Sequence, residues 1–162
     1  MLCEADLQFI NQSGSNANIF FGFSSTTTLT STNGAVPTAS MTNALIMKLD
    51  GEAFWRVQTS NATAKSNNLS TTPAGGSATN SYILHIDVIN FDGLNAGVVF
   101  SVNGVALLDS VTGQQILHKV PYASVADMYL VALTQAGSSN VQIANWDYIT
   151  ASKARILTLS AS

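Results

Sequence analysis

Apolar residues in this chain come in short runs, and the gaps between runs are filled with Gly, Asn, Ser, Thr and Pro. That punctuation predicts β-strands joined by turns. Residues 7–10 and 19–23 are the first two runs, with a polar loop between them. Residues 24–33 are almost all Ser and Thr and read as a polar loop or an exposed edge. Residues 44–49 and 54–58 form a hairpin pattern around Asp50-Gly51. The polar stretch 61–80 is long for a plain loop, so a short edge strand is expected within it.

The clearest alternation follows. Tyr82, Leu84, Ile86 and Val88 interleave with Ile83, His85, Asp87 and Ile89, and the first set is assigned to the core. Val98, Phe100 and Val102 then oppose Val99, Ser101 and Asn103. Asn103-Gly104 between Val102 and Val105 is the sequence of a type I′ hairpin turn, because both central positions need positive φ. Runs at 115–120 and 128–134 come next, and the second is apolar on both faces, as a central strand would be. Val141 and Ile143 begin a strand whose apolar phase moves to Trp146 and Tyr148, which predicts a bulge near Ala144 or Asn145. A last run occupies 154–159. No 3.6-residue period is sustained, and 123–128 forms at most one helical turn. About ten strands with frequent turns predict one all-β domain over 1–162, a two-sheet antiparallel β-sandwich.

Composition narrows the function. Charged residues are 9% of the chain, against about 25% in ordinary domains, while Ser, Thr and Asn supply about 30%. A surface of hydroxyls and amides repels its neighbours weakly, which suits a protein packed among copies of itself or on a fixed partner. Net charge is −3, and the six basic residues are scattered, so no stripe exists to neutralise phosphates and nucleic acid is not an expected partner. Cys3 is the single cysteine and allows neither an internal disulfide nor a cysteine metal cluster. Acids near Met1, with no apolar segment after them, lead to the expectation of a protein made in a cytoplasm without signal peptide or membrane span.

Several features recur in a familiar order. Phe21-Gly-Phe-Ser-Ser25 precedes Phe54-Trp-Arg-Val57, then Tyr82-Ile-Leu-His-Ile-Asp87 and Val98-Val-Phe-Ser-Val-Asn-Gly104. Val120-Pro121, Tyr129-Leu-Val-Ala-Leu133 and Trp146-Asp-Tyr-Ile149 follow, leading to Ala154-Arg155. Over about residues 19–155 the chain resembles the concanavalin A-like (laminin G-like) jelly-roll domains of phage structural proteins. The resemblance implies a jelly-roll core at 19–155, flanked by an N-terminal strand and loop (1–18) and a C-terminal tail (156–162). It also implies a virion component of the capsid decoration (cement) or head-fibre type, self-associating and docked on a major capsid protein or another virion part. The alternative is a carbohydrate-binding module of a phage tail fibre or spike.

Candidate chemistry is sparse. His85 and His118 are the only neutral-pH bases. His85 shares a strand face with Asp87, but the chain lacks a Gly-x-Ser-x-Gly elbow, so His85 reads as a strand histidine facing solvent or a neighbouring subunit. The only glutamates, Glu4 and Glu52, do not form the paired carboxylates of a glycosidase. Asp87, Asn90, Asp92 and Asn95 surround one turn with oxygens, yet no EF-hand pattern is present, and neither metal nor other cofactor is expected. Contacts to a glycan or protein partner are expected, if anywhere, from Trp55, Tyr82, His85 and Asp87, although Trp55, Tyr82, Trp146 and Tyr148 also fit core positions. Leu7, Phe9, Ile156 and Leu157 are the candidate edge-strand contacts, because terminal segments can reach a neighbour.

Overall fold

A computed structural model describes residues 1–9, 17–26, 29, 42–61, 63–74, 81–90, 94–121, 128–136 and 144–152. The strands are β1 (Leu2–Phe9), β2 (Ala17–Ser24), β3 (Thr42–Lys48), β4 (Phe54–Asn61), β5 (Lys65–Pro73) and β6 (Ser81–Asn90). After them come β7 (Asn95–Val102), β8 (Val105–Ala106), β9 (Leu117–Pro121), β10 (Tyr129–Ala136) and β11 (Ala144–Ser152). They form two antiparallel sheets packed face to face, an all-β sandwich. A six-stranded sheet runs β11-β1-β6-β7-β8, with β9 also on β7, and a five-stranded sheet runs β10-β2-β3-β4-β5.

Alternation builds the core between the sheets. Tyr82, Leu84, Ile86 and Val88 of β6 all point inward, as do Val98, Phe100 and Val102 of β7. They meet Phe21, Phe23, Ile46, Trp55 and Val57 from the opposite sheet. Trp55 and Tyr82 pack edge to face with ring centroids 5.3 Å apart. Gly22 sits between Phe21 and Phe23 at φ 140°, where a Cβ would overlap the Ala44 carbonyl oxygen and the Ile86 side chain. The turns take the expected backbone: Gly51 has φ 80°, and Asn103 and Gly104 have φ 53° and 74°.

A second cluster lies on the outside of the five-stranded sheet. Phe20, Leu45 and Met47 are fully buried there, and Leu49, Val131 and Leu29 join them. Leu29 belongs to the stretch expected to be a polar loop or edge, and Ser24 of that stretch ends β2 fully buried. This cover explains β10. Its two apolar faces suggest a central strand, but among the described residues it pairs β2 alone and lies at the sheet edge. Leu130 and Ala132 pack on the inner core, while Val131 and Leu133 pack on the outer cluster.

Three other expectations change. β1 is an interior strand, not an edge, because it pairs β6 on one side and β11 on the other. Leu7 lies opposite Tyr82 and Trp146 and does not stand on a free edge, while Phe9 pairs Ala144 of β11, one residue past the last β1–β6 pair. Cys3, Ala5 and Leu7 are fully buried, and Glu4 and Asp6 are merely the outward half of that alternation. The bulge on β11 falls at Asp147 rather than Ala144 or Asn145, since Asp6 faces Tyr148 and Leu7 faces Trp146. The strand expected within 61–80 is β5, nine residues long and at the edge of its sheet. Its outer side is covered in part: Thr71 N donates to Leu108 O and Ser110 N to Leu69 O. Ile156, Leu157, Asp92 and most of the 123–128 segment lie outside the described residues. Among the described residues no helix is long and apolar enough to cross a membrane.

Candidate functional site

The outer face of the six-stranded sheet carries the outward halves of β1, β6, β7, β9 and β11. Register brings Leu2, Asp87, Val99 and Leu117 into one row across four strands. Leu117 is 41% exposed, and Ile83 and Ile89 on the same face are 38% and 40% exposed. Isolated exposed apolar side chains are ordinary, but here Leu117, Ile83 and Ile89 gather on one sheet face with the half-buried Leu2 and Val99 and with Asp87.

Beside that row stands a polar cluster. Glu4 lies opposite His85, and its carboxylate sits 3.1 Å from His85 Nδ1. Tyr148 OH donates to the other Glu4 oxygen at 2.7 Å. The Tyr148 bond, then the His85 bond, holds the Glu4 carboxyl below its ordinary value. The same bond pushes the Tyr148 phenol up to about 12. One strand pair further along, the Ser81 hydroxyl donates to Asp6. Beyond it opens a cavity of about 420 Å³ lined by Asp6, Gln8, Ser81, Asn145, Trp146 and Asp147. The Asp147 bulge forms one wall. The Trp146 ring packs inward against Phe21 of the opposite sheet, with centroids 5.9 Å apart.

The other histidine occupies a different setting. His118 of β9 points between the sheets, 6% exposed, with the Phe100 ring in a T-shaped contact at 5.4 Å. Its Nε2 lies 2.8 Å from Asn68 Oδ1 and its Nδ1 lies 2.9 Å from Thr59 Oγ1. Asn68 Nδ2 donates to Asp109 at 2.5 Å, which fixes the amide orientation. His118 therefore donates through Nε2–H and accepts from the Thr59 hydroxyl at Nδ1. Asp109 also accepts from the Val111 and Thr112 amides and the Thr112 hydroxyl. Those bonds, with that of Asn68 the largest, lower its pKa to about 2, while burial pushes His118 down to about 4. The chain Thr59–His118–Asn68–Asp109 resembles a nucleophile, base and orienting acid in connectivity. Thr59 is 1% exposed, however, so its hydroxyl meets no substrate. The relay instead ties β9 of one sheet to β4 and β5 of the other.

The sequence candidates separate accordingly. His85 and Asp87 stand half-buried on the open face. Trp55 is fully buried and Tyr82 8% exposed, so both belong to the core and contact no outside ligand. Asp87 faces Val99 in mid-strand while Asn95 faces Pro121, and among the described residues no three His, Cys, Asp or Glu side chains group to hold a metal. Sequence reasoning missed Thr59, Asn68 and Asp109, which are joined only by folding. Asp109-Ser-Val-Thr-Gly113 carries the one local signal, an Asp that caps the turn ahead of it. No family model, curated protein or solved structure matches this chain.

Proposed function

We propose that this chain is a non-catalytic structural component of a virus particle, a capsid decoration (cement) protein that self-associates and stabilises a shell. The observation that carries the reading is the open outer face of the six-stranded sheet, where Leu2, Val99, Leu117, Ile83 and Ile89 surround His85 and Asp87. Interior strands hold that face rigid, so docking costs little conformational entropy. Nine acids and six bases in 162 residues leave a surface that tolerates close packing. The viral context comes from the resemblance to phage jelly rolls, and a major capsid protein is the partner it suggests.

Two features support the absence of catalysis. The Thr59 hydroxyl beside His118 is buried between the sheets, although His118, Asn68 and Asp109 line a small pocket of about 170 Å³, and His85 is engaged by Glu4 rather than by a hydroxyl or thiol nucleophile. The glycan-binding reading has less support, since Trp55 and Tyr82 are interior and offer no stacking platform. The test is direct: purified protein is sedimented alone and with shells that lack it. Concentration-dependent self-association and saturable shell binding are expected. A chain that stays monomeric and remains in the supernatant contradicts the proposal.

A further inference from the structure

We infer that the cavity at the Asp147 bulge is a receptor for a guanidinium group, an arginine side chain presented by the docking partner. The inference rests on the docking reading above and names the chemistry of one contact within it.

The charged groups of the lining are both acceptors. Asp6 and Asp147 bring carboxylates, Gln8 and Asn145 bring amide oxygens, and Ser81 holds Asp6 in place through its hydroxyl. Among the described residues no lysine or arginine lines the cavity. An anion is therefore repelled, and an apolar ligand would strand these groups unpaired. A guanidinium has five donors in a planar fork and matches carboxylate and amide oxygens at several points at once.

The local field agrees. The Glu4 hydrogen bond is the main cause that raises the Tyr148 phenol beside the cavity, and the charges of Glu4, Asp6 and Asp147 add to it in the same direction. The cavity, at about 420 Å³, is large enough to take a side chain whole. It also opens on the same sheet face as the row of Leu2, Asp87, Val99 and Leu117, since Asp6 and Gln8 are outward residues of β1 next to Glu4. One docked surface thus covers the row and fills the cavity. With only six basic residues of its own, this chain is suited to receive the cation rather than to supply it.

The probe is N-acetyl-arginine amide, titrated into the full chain and followed by amide shifts at Asp6, Ser81, Asn145 and Asp147 and by the Trp146 indole. Saturable millimolar binding is expected, weakened by salt and by about tenfold or more in Asp6→Asn and Asp147→Asn. Both substitutions keep the side-chain shape, and Asp147 is exposed, so the fold is retained. No saturable shift below about 50 mM, an equal response to methyl glucoside or to calcium chloride, or unchanged binding in both variants overturns the inference. Shell binding is then measured with the double variant. A loss of affinity supports the arginine contact. Full-strength binding overturns it and leaves the docking reading in place, whereas failure of the unsubstituted chain to bind shells overturns the docking reading itself.

Discussion

The two outer faces of the sandwich are opposites. On the five-stranded sheet the outer face is apolar and already covered, with Phe20, Leu45 and Met47 fully buried and Leu29 among them. Asn43 and Gln58 share that cover, joined by a 3.2 Å hydrogen bond. On the six-stranded sheet the outer face is mixed and open, carrying Glu4, Asp6, His85 and Asp87 beside Ile83, Ile89 and Leu117. The difference teaches which face has a structural duty and which is available to a partner. The two histidines follow the same division: His118 is a linker between the sheets, and His85 belongs to the open face.

Truncation breaks this comparison most strongly. Phe20→Ala is expected to cost about 3–5 kcal/mol, since it opens a cavity in a packed layer. Leu117→Ala on the open face should change stability by less than about 1 kcal/mol. Denaturant unfolding of both variants checks the contrast, and equal losses would remove it.

Next in size is the pH response of His118. The unfolded imidazole titrates near 6.5 and the folded one near 4. Between these values the unfolded chain binds more protons, so stability rises with pH there. The contribution, on the order of 3 kcal/mol, is fully present above about pH 6.5 and is lost as pH falls toward 4. Unfolding free energies across that range should show the slope, and His118→Asn should flatten it while lowering stability at pH 7.

His85→Ala should cost less than about 1 kcal/mol, because its bond to Glu4 is half-exposed and screened. Smaller still is the effect of Glu4→Gln. It removes the charge that raises Tyr148, so one tyrosine in an ultraviolet titration should move from about 12 toward the ordinary phenol value. An unmoved titration would mean that the Tyr148–Glu4 bond is absent in solution.

What the sequence disclosed depended on which faces are buried. β6, β7 and the Asn103-Gly104 turn were readable because one face is buried and the other open, the condition under which a period of two is clean. β10 reads as a central strand because its outward Val131 and Leu133 sit under a second layer that no local pattern announces. Most of β1 carries no clear strand signal because Glu4 and Asp6 interrupt its apolar run, and only its pairing with β6 and β11 accounts for it. The open face was half visible: His85 and Asp87 were assigned to the outward side of β6, but Leu2 and Leu117 join them only through register. The His118 relay was invisible, since Thr59, Asn68 and Asp109 come from distant parts of the chain.

The central claim is that the open face of the six-stranded sheet docks on a viral shell. Its most direct test is binding of Leu117→Lys and Val99→Lys variants to shells lacking this protein, with unfolding measured in parallel. Shell binding should be lost in both variants while each unfolds as the unsubstituted chain does. Undiminished binding by two well-folded variants would contradict the account.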